Sequence, residues 1–219
     1  RQTGGRVEVL LIEKIEQQWT CMLKASKRPK EQELLHIIKG ANPDATEAAD
    51  LHLGALRICA HLGGGRALVE FTEEIPLEEI GQPPLPPYID RATDKDDWNR
   101  YQTVYAANDG SVAAPTAGLH LSEEVLAGLG AKGCELAKVT LHVGPGTFVP
   151  VRSERVNDHK MEEERYVVSA ATAERIAAAG RENRRILAVG TTSVRTLESS
   201  KGMAGQGRSE LFISPGYSF

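Results

Sequence analysis

Apolar residues alternate with others at Val7, Val9 and Leu11, and again at Trp19, Cys21 and Leu23, across a polar break at Glu16-Gln17-Gln18. Alternation of period two half-buries one face of a strand, so residues 6–30 predict a β-hairpin. A second hairpin is clearer: "LRICAHL", then Gly63-Gly64-Gly65, then "RALVEF". Glycine reaches positive φ without steric cost, which a tight strand reversal requires. Short alternating strands with Gly-rich turns and no strong helical period point to a small barrel or sandwich. No element is assigned over residues 31–55.

The texture then changes. "IPLEEIGQPPLPPYIDR" carries Pro76, Pro83, Pro84, Pro86 and Pro87, none of which can donate to a sheet ladder. Residues 76–90 therefore read as a Pro-rich linker between a β-barrel domain over 1–75 and a second domain over 91–219. In that second domain "GSVAAP", "CELAKVTLHVG" and "RILAVG" read as strands. Helices are expected after Ser122 with its acidic first turn, over "SAATAERIAAAGRENR", and over "TTSVRTLES". Strand and helix alternate, so the expected fold class is an α/β main domain with a mostly parallel sheet, plus a small all-β barrel domain.

Composition narrows the class without choosing a function. The 219 residues are 41% hydrophobic and 26% charged, ordinary for a globular protein, and no apolar run approaches a membrane span. The three cysteines, Cys21, Cys59 and Cys134, show no paired spacing, so neither a disulfide scaffold nor a zinc site is implied and a reduced, cytoplasmic setting fits. The opening Arg1-Gln2-Thr3-Gly4-Gly5 and the closing "SPGYSF" suggest a fragment. The net charge of −4 is unevenly spread. Arg1, Arg6, Lys14, Lys24, Lys27, Arg28 and Lys30 dominate the first thirty residues, and Arg181, Arg184, Arg185, Arg195, Lys201 and Arg208 form a second basic zone. Two such zones permit a polyanionic partner.

Three loops follow predicted strands: Pro115-Thr116-Ala117-Gly118-Leu119-His120, His142-Val143-Gly144-Pro145-Gly146-Thr147, and Gly190-Thr191-Thr192-Ser193. In open α/β sheets ligands bind beyond the carboxyl ends of the strands, so these loops are candidate ligand contacts. The third opens a helix whose free amides and hydroxyls, with Arg195 just inside, suit a carboxylate or phosphate. It is neither a P-loop nor a G-x-G-x-x-G turn. His120 and His142 sit at two of the loop positions and suit proton transfer near neutral pH, while the spacing of His120, His142 and His159 gives no metal set.

Taken in order, "YQTVYA", "GSVAAPTAGLH", "VTLHVGPGTFVPV", "DH", "ILAVGTTSVRTLES" and "FISPGY" closely resemble the S-adenosylmethionine:tRNA ribosyltransferase-isomerase family of queuosine biosynthesis. The opening "GGRVEVLL" and the "PLPPYI" linker resemble it too, and the resemblance implies further chain at both ends, so that 1–219 would be a middle portion with the second domain incomplete at its C-terminus. The resemblance implies transfer and isomerisation of the ribosyl group of S-adenosylmethionine onto 7-aminomethyl-7-deazaguanine at the tRNA wobble position. Epoxyqueuosine-tRNA, adenine and methionine would be the products. It implies S-adenosylmethionine as a co-substrate, with no permanently bound cofactor, no metal and no membrane partner.

On that reading His120 and His142 carry the proton transfers, with their roles open between them. Pro115, Thr116, Gly118, Gly144, Gly146, Thr147, Thr191, Thr192, Ser193 and Arg195 hold the co-substrate, Arg195 meeting its carboxylate. Tyr101 or Phe148 lies against the sulfonium or adenine. Lys24, Lys27, Arg28 and Lys30 contact tRNA phosphates, which position the RNA and do not specify it. The alternative is a non-catalytic RNA- and nucleotide-binding fragment. A generic S-adenosylmethionine methyltransferase fits less well, because no acidic residue closes a strand about 20 residues after a Gly-rich first loop.

Overall fold

The computed structural model describes residues 5–38, 52–86, 88–89, 91–94, 96–148 and 161–219. The chain divides into two compact units, Arg1–Gln82 and Pro83–Phe219.

In the first unit β1 (Val7–Ile15) and β2 (Gln18–Ala25) form the first hairpin, turning at Glu16 with φ +55°. β3 (Leu34–Ile38), β4 (His52–Gly63) and β5 (Arg66–Phe71) follow, and a single helical turn, α1 (Leu77–Ile80), closes the unit. The strands run β1-β2-β5-β4-β3 with every neighbouring pair antiparallel. The alternating residues do what the pattern dictates. Cys21, Leu35, Leu56, Ile58, Ala67 and Val69 are buried together, with Val7, Val9, Leu11, Trp19, Leu23 and Phe71 packed on them. Burial pushes the Cys21 thiol up to about 11, so it is a core residue and not a reactive one. Gly63, Gly64 and Gly65 take φ of +85°, +57° and +83°, values any side chain would strain. The described strands of this unit form one antiparallel sheet. β1 and β3 are its outer strands, and among the described residues no pairing joins them.

The second unit overturns the parallel sheet. Its strands β6 (Thr140–His142), β7 (Glu164–Val168) and β8 (Gly205–Ser209) make one antiparallel sheet in the order β6-β7-β8. The unit also holds helices α2 (Asp97–Arg100), α3 (Glu123–Ala131), α4 (Ala170–Arg181) and α5 (Thr191–Ser200), and α5 packs on β8 and β6. Three helices form where the sequence predicts them. Ser122 Oγ caps α3 by accepting from the Val125 amide at 3.3 Å, and Ser169 Oγ caps α4 through the Thr172 amide at 3.1 Å.

The predicted strands fail for a backbone reason. A strand needs a neighbour for its carbonyls and amides. The Leu136 and Lys138 carbonyls instead accept from the side chains of Arg175 (2.7 Å) and Thr172 (2.8 Å) on α4. Only Thr140–His142 of "CELAKVTLHVG" pairs in a sheet. "RILAVG" is exposed, with Leu187 at 86%. "GSVAAP" is buried at Val112, Ala113 and Ala114, yet Pro115 has no amide to offer and the segment touches β6 only near its start. β7 and β8, which the apolar pattern does not reveal, supply the sheet. β8 reads "GQGRS", and Gly207 stands opposite Tyr166, whose ring takes the place of the missing side chain.

Candidate active site

The last residue of β6, His142, is the best-formed chemical feature of the second unit. The segment 107–112 is tied along that strand. Asn108 Nδ2 donates to Thr140 Oγ1 (3.1 Å), Ser111 Oγ donates to the Leu141 carbonyl (2.9 Å), and Ser111 Oγ accepts from the Val143 amide (3.1 Å). The Val112 amide donates to the Val143 carbonyl at 2.8 Å. This clamp sets Gly110, at φ +123°, directly against the imidazole: a Cβ there would stand 2.6 Å from His142 Nδ1. Among the described residues buried Nδ1 has no hydrogen-bond partner, an uncommon condition in a folded protein. The ring lines an open cavity of about 420 Å³ together with Ala107, Asn108, Asp109, Thr140 and Val167. Among the described residues no group of three or more His, Cys, Asp or Glu side chains could hold a metal ion.

His120 ends a 3₁₀ helix over Thr116–His120 and is exposed. It does not line the His142 cavity, so the two histidines are not brought into that one pocket. The Pro115–His120 segment instead meets the start of α5, where a Cβ at Gly190 would lie 3.5 Å from Ala117 Cβ. Two of the three loops therefore come together. Gly118 is buried, and the space beside its Cα is filled by the Tyr105 hydroxyl and Thr103 rather than left open. Tyr105 is half-buried, which pushes its hydroxyl's pKa up, and Lys138 Nζ stands 6.0 Å over its ring. Burial also raises the pKa of Tyr101, whose hydroxyl bonds the Ala114 backbone. Glu162 fills the space beside Gly146 and approaches Gly144. Thr147's side chain, Phe148's side chain and His159 lie outside the described residues.

Gly190 caps α5 with φ +95°, leaving the amides of Thr191, Thr192 and Ser193 at the open end of the helix. Arg195 points elsewhere. Its Nη1 donates to Glu164 Oε2 at 2.5 Å, its Nε to the Leu211 carbonyl at 2.9 Å and its Nη2 to the Ser209 carbonyl at 3.2 Å. The side chains are 9% and 4% exposed, so this is a buried ion pair joining α5, β7 and the end of β8. The guanidinium that sequence reasoning assigned to a ligand carboxylate is committed to the fold.

In the first unit Lys24, Lys27, Arg28 and Lys30 are all exposed. Lys24 pairs with Glu8 at 3.3 Å and Arg28 Nε donates to His61 Nδ1 at 3.1 Å. Sequence reasoning missed Asn108, Asp109 and Gly110, although the Asn-Asp-Gly run before "SVAAP" is itself a turn signal. It also missed Glu164, which lies in a run of charges with no visible period.

A family model described as queuosine biosynthesis protein matches residues 1–219. The chain belongs to that family. Relatives named S-adenosylmethionine:tRNA ribosyltransferase-isomerase align with all of it. The protein of Syntrophotalea carbinolica is 41% identical over 227 residues, covering 100% of this chain and 64% of the relative. That of Anaeromyxobacter dehalogenans strain 2CP-C is 46% identical over 229 residues, covering 100% of this chain and 63% of the relative. That of Geobacter sulfurreducens is 39% identical over 231 residues, with 100% and 64% covered. The chain thus spans about 64% of the length of these family members. Among the described residues no helix is long and apolar enough to cross a membrane.

Proposed function

We propose that this chain carries the reaction site of a ribosyltransferase-isomerase acting on tRNA. S-adenosylmethionine gives its ribosyl group to the aminomethyl nitrogen of 7-aminomethyl-7-deazaguanine at the wobble position. Epoxyqueuosine forms in the tRNA, and adenine and methionine leave. The observation that carries the reading is identity of 39–46% across the whole chain to proteins bearing that name. The cytoplasm is the compartment that holds both substrates.

The chemistry asks for proton handling near neutral pH. The sulfonium acidifies the hydrogens on the neighbouring ribose carbon, so removal of one opens the sequence. The attacking amine must be neutral, and adenine must leave with its bonding electrons. Positioned acid–base groups contribute roughly 100- to 10,000-fold each, and His120 and His142 are the candidates. With Arg195 held by Glu164, the methionine carboxylate falls to the amides and hydroxyls of Thr191, Thr192 and Ser193 at the α5 start. Pro115, Thr116 and Gly118 belong to the segment that meets this helix start, and Gly144, Gly146 and Thr147 to the one that follows His142. Lys24, Lys27, Arg28 and Lys30 meet RNA phosphates, and an anticodon-loop base unstacks cheaply enough to reach a pocket.

A double-label experiment tests this. With S-adenosylmethionine tritiated in its methyl group and carrying carbon-14 in its ribose, carbon-14 should enter the modified tRNA and tritium should leave with methionine. Tritium in the RNA would indicate a methyltransferase. Neither label in the RNA, with binding retained, would indicate a non-catalytic nucleotide- and RNA-binding module.

A further inference from the structure

We infer that His142 acts as a hydrogen-bond donor through Nε2–H and does not itself take up the substrate proton. The inference rests on the ribosyl-transfer reading and assigns a role within it.

The two ring nitrogens are in unlike places. Nδ1 is buried with no partner among the described residues, and a Cβ on Gly110 would stand 2.6 Å from it. Nε2 is not among the buried unpartnered atoms, and the ring forms part of the cavity wall. One nitrogen of a neutral imidazole bears hydrogen and the other a lone pair. An N–H buried without an acceptor is the rarer and costlier orphan; a lone pair without a donor is better tolerated. The hydrogen therefore belongs on Nε2, the nitrogen that is not buried and unpartnered, and the lone pair on Nδ1, against Gly110.

This tautomer limits the chemistry. A base at Nε2 would require Nδ1–H first, directed at Gly110 with no acceptor. A base at Nδ1 would require the substrate to reach a buried atom. Donation from Nε2–H needs neither. The fitting acceptor is a ring nitrogen of the leaving adenine. As the C–N glycosidic bond breaks, its electron pair passes to adenine, and the donor steadies that charge while keeping its own proton. The hydrogen taken from the ribose carbon goes to another group, for which His120 is then the remaining histidine candidate, and the departing adenine takes its own proton from water in the open cavity. Gly110 is a positioning residue, since its φ of +123° and its contact with Nδ1 both exclude a side chain.

Imidazole proton–nitrogen correlation spectra of the nitrogen-15-labelled protein should show His142 as the Nε2–H tautomer. In adenine release with modified tRNA, His142→Ala should lose roughly 100-fold or more, the cost of a donor aimed at developing charge. His142→Gln, whose amide N–H reaches toward the Nε2 position, should stay within about 10-fold of wild type if donation is the role. An Nδ1–H tautomer would overturn the assignment. So would a folded His142→Gln protein as inactive as His142→Ala. If wild-type protein releases no adenine, the ribosyl-transfer reading fails, and the tautomer still decides the assignment by itself.

Discussion

Replacing Glu164 by Gln should cost the second unit about 3–5 kcal/mol, because it leaves the Arg195 guanidinium in place without its countercharge. The magnitude follows from the site. The two side chains are 9% and 4% exposed, so water cannot stand in for the lost carboxylate. Arg195 also holds the Leu211 and Ser209 carbonyls, so it cannot swing out to solvent without giving up two more bonds. Arg195→Met should cost a similar amount, stranding those carbonyls and taking the guanidinium from Glu164. The double variant Glu164→Leu/Arg195→Met should be less destabilised than either single one, since no unpaired charge stays buried, although the Leu211 and Ser209 carbonyls still lose their donor. Urea unfolding followed by Trp98 fluorescence, with Trp19 changed to Phe so that only the second unit reports, measures all three. At a slope of about 1–3 kcal/mol per molar urea, Glu164→Gln should lower the midpoint by on the order of 1–5 M. A loss under about 1 kcal/mol, or a double variant worse than either single one, would refute the buried-staple account.

Gly118→Ala should destabilise by about 1–3 kcal/mol, read as a lowered Tm, because the added methyl meets the Tyr105 hydroxyl and Thr103. The Arg91 guanidinium, donating at 2.7 and 2.6 Å, holds the Asp97 carboxyl at about 2 against an ordinary 3.8. A carboxyl pKa depressed on folding stabilises above the ordinary value and loses that contribution as pH falls toward the folded one. Acid titration of Trp98 fluorescence should therefore show a loss of stability between pH 3.8 and about 2 that Arg91→Gln reduces, the Asp94 amide bond to Asp97 accounting for the remainder. Thiol titration at mild alkaline pH should modify exposed Cys134 readily and spare Cys21, held at about 11 in the core, until urea unfolds the protein.

The two hairpins of the first unit were legible because side-chain alternation and the Gly63–Gly65 turn act on the same segment. The caps at Ser122 and the Thr191 helix start were legible because each is a local signal. The sheet of the second unit was not. "RILAVG" and "CELAKV" have strand-like composition, but composition does not say where backbone hydrogen bonds go. The Leu136 and Lys138 carbonyls are taken by Arg175 and Thr172, thirty-odd residues away in sequence. "GQGRS" pairs as a strand with almost no apolar content, because Tyr166 covers Gly207 from the partner strand. The site shows the same division. His142 stood out as a histidine in a Gly-containing loop, whereas the neighbour that shapes its chemistry, Gly110, is thirty-two residues earlier. Arg195 was picked for its charge, and only the fold reveals that Glu164 already holds it.

The most direct measurement is adenine release from S-adenosylmethionine by this chain, with tRNA bearing 7-aminomethyl-7-deazaguanine and with the same tRNA unmodified. The account predicts release with the modified tRNA alone. Release from both tRNAs, or from neither, would contradict it.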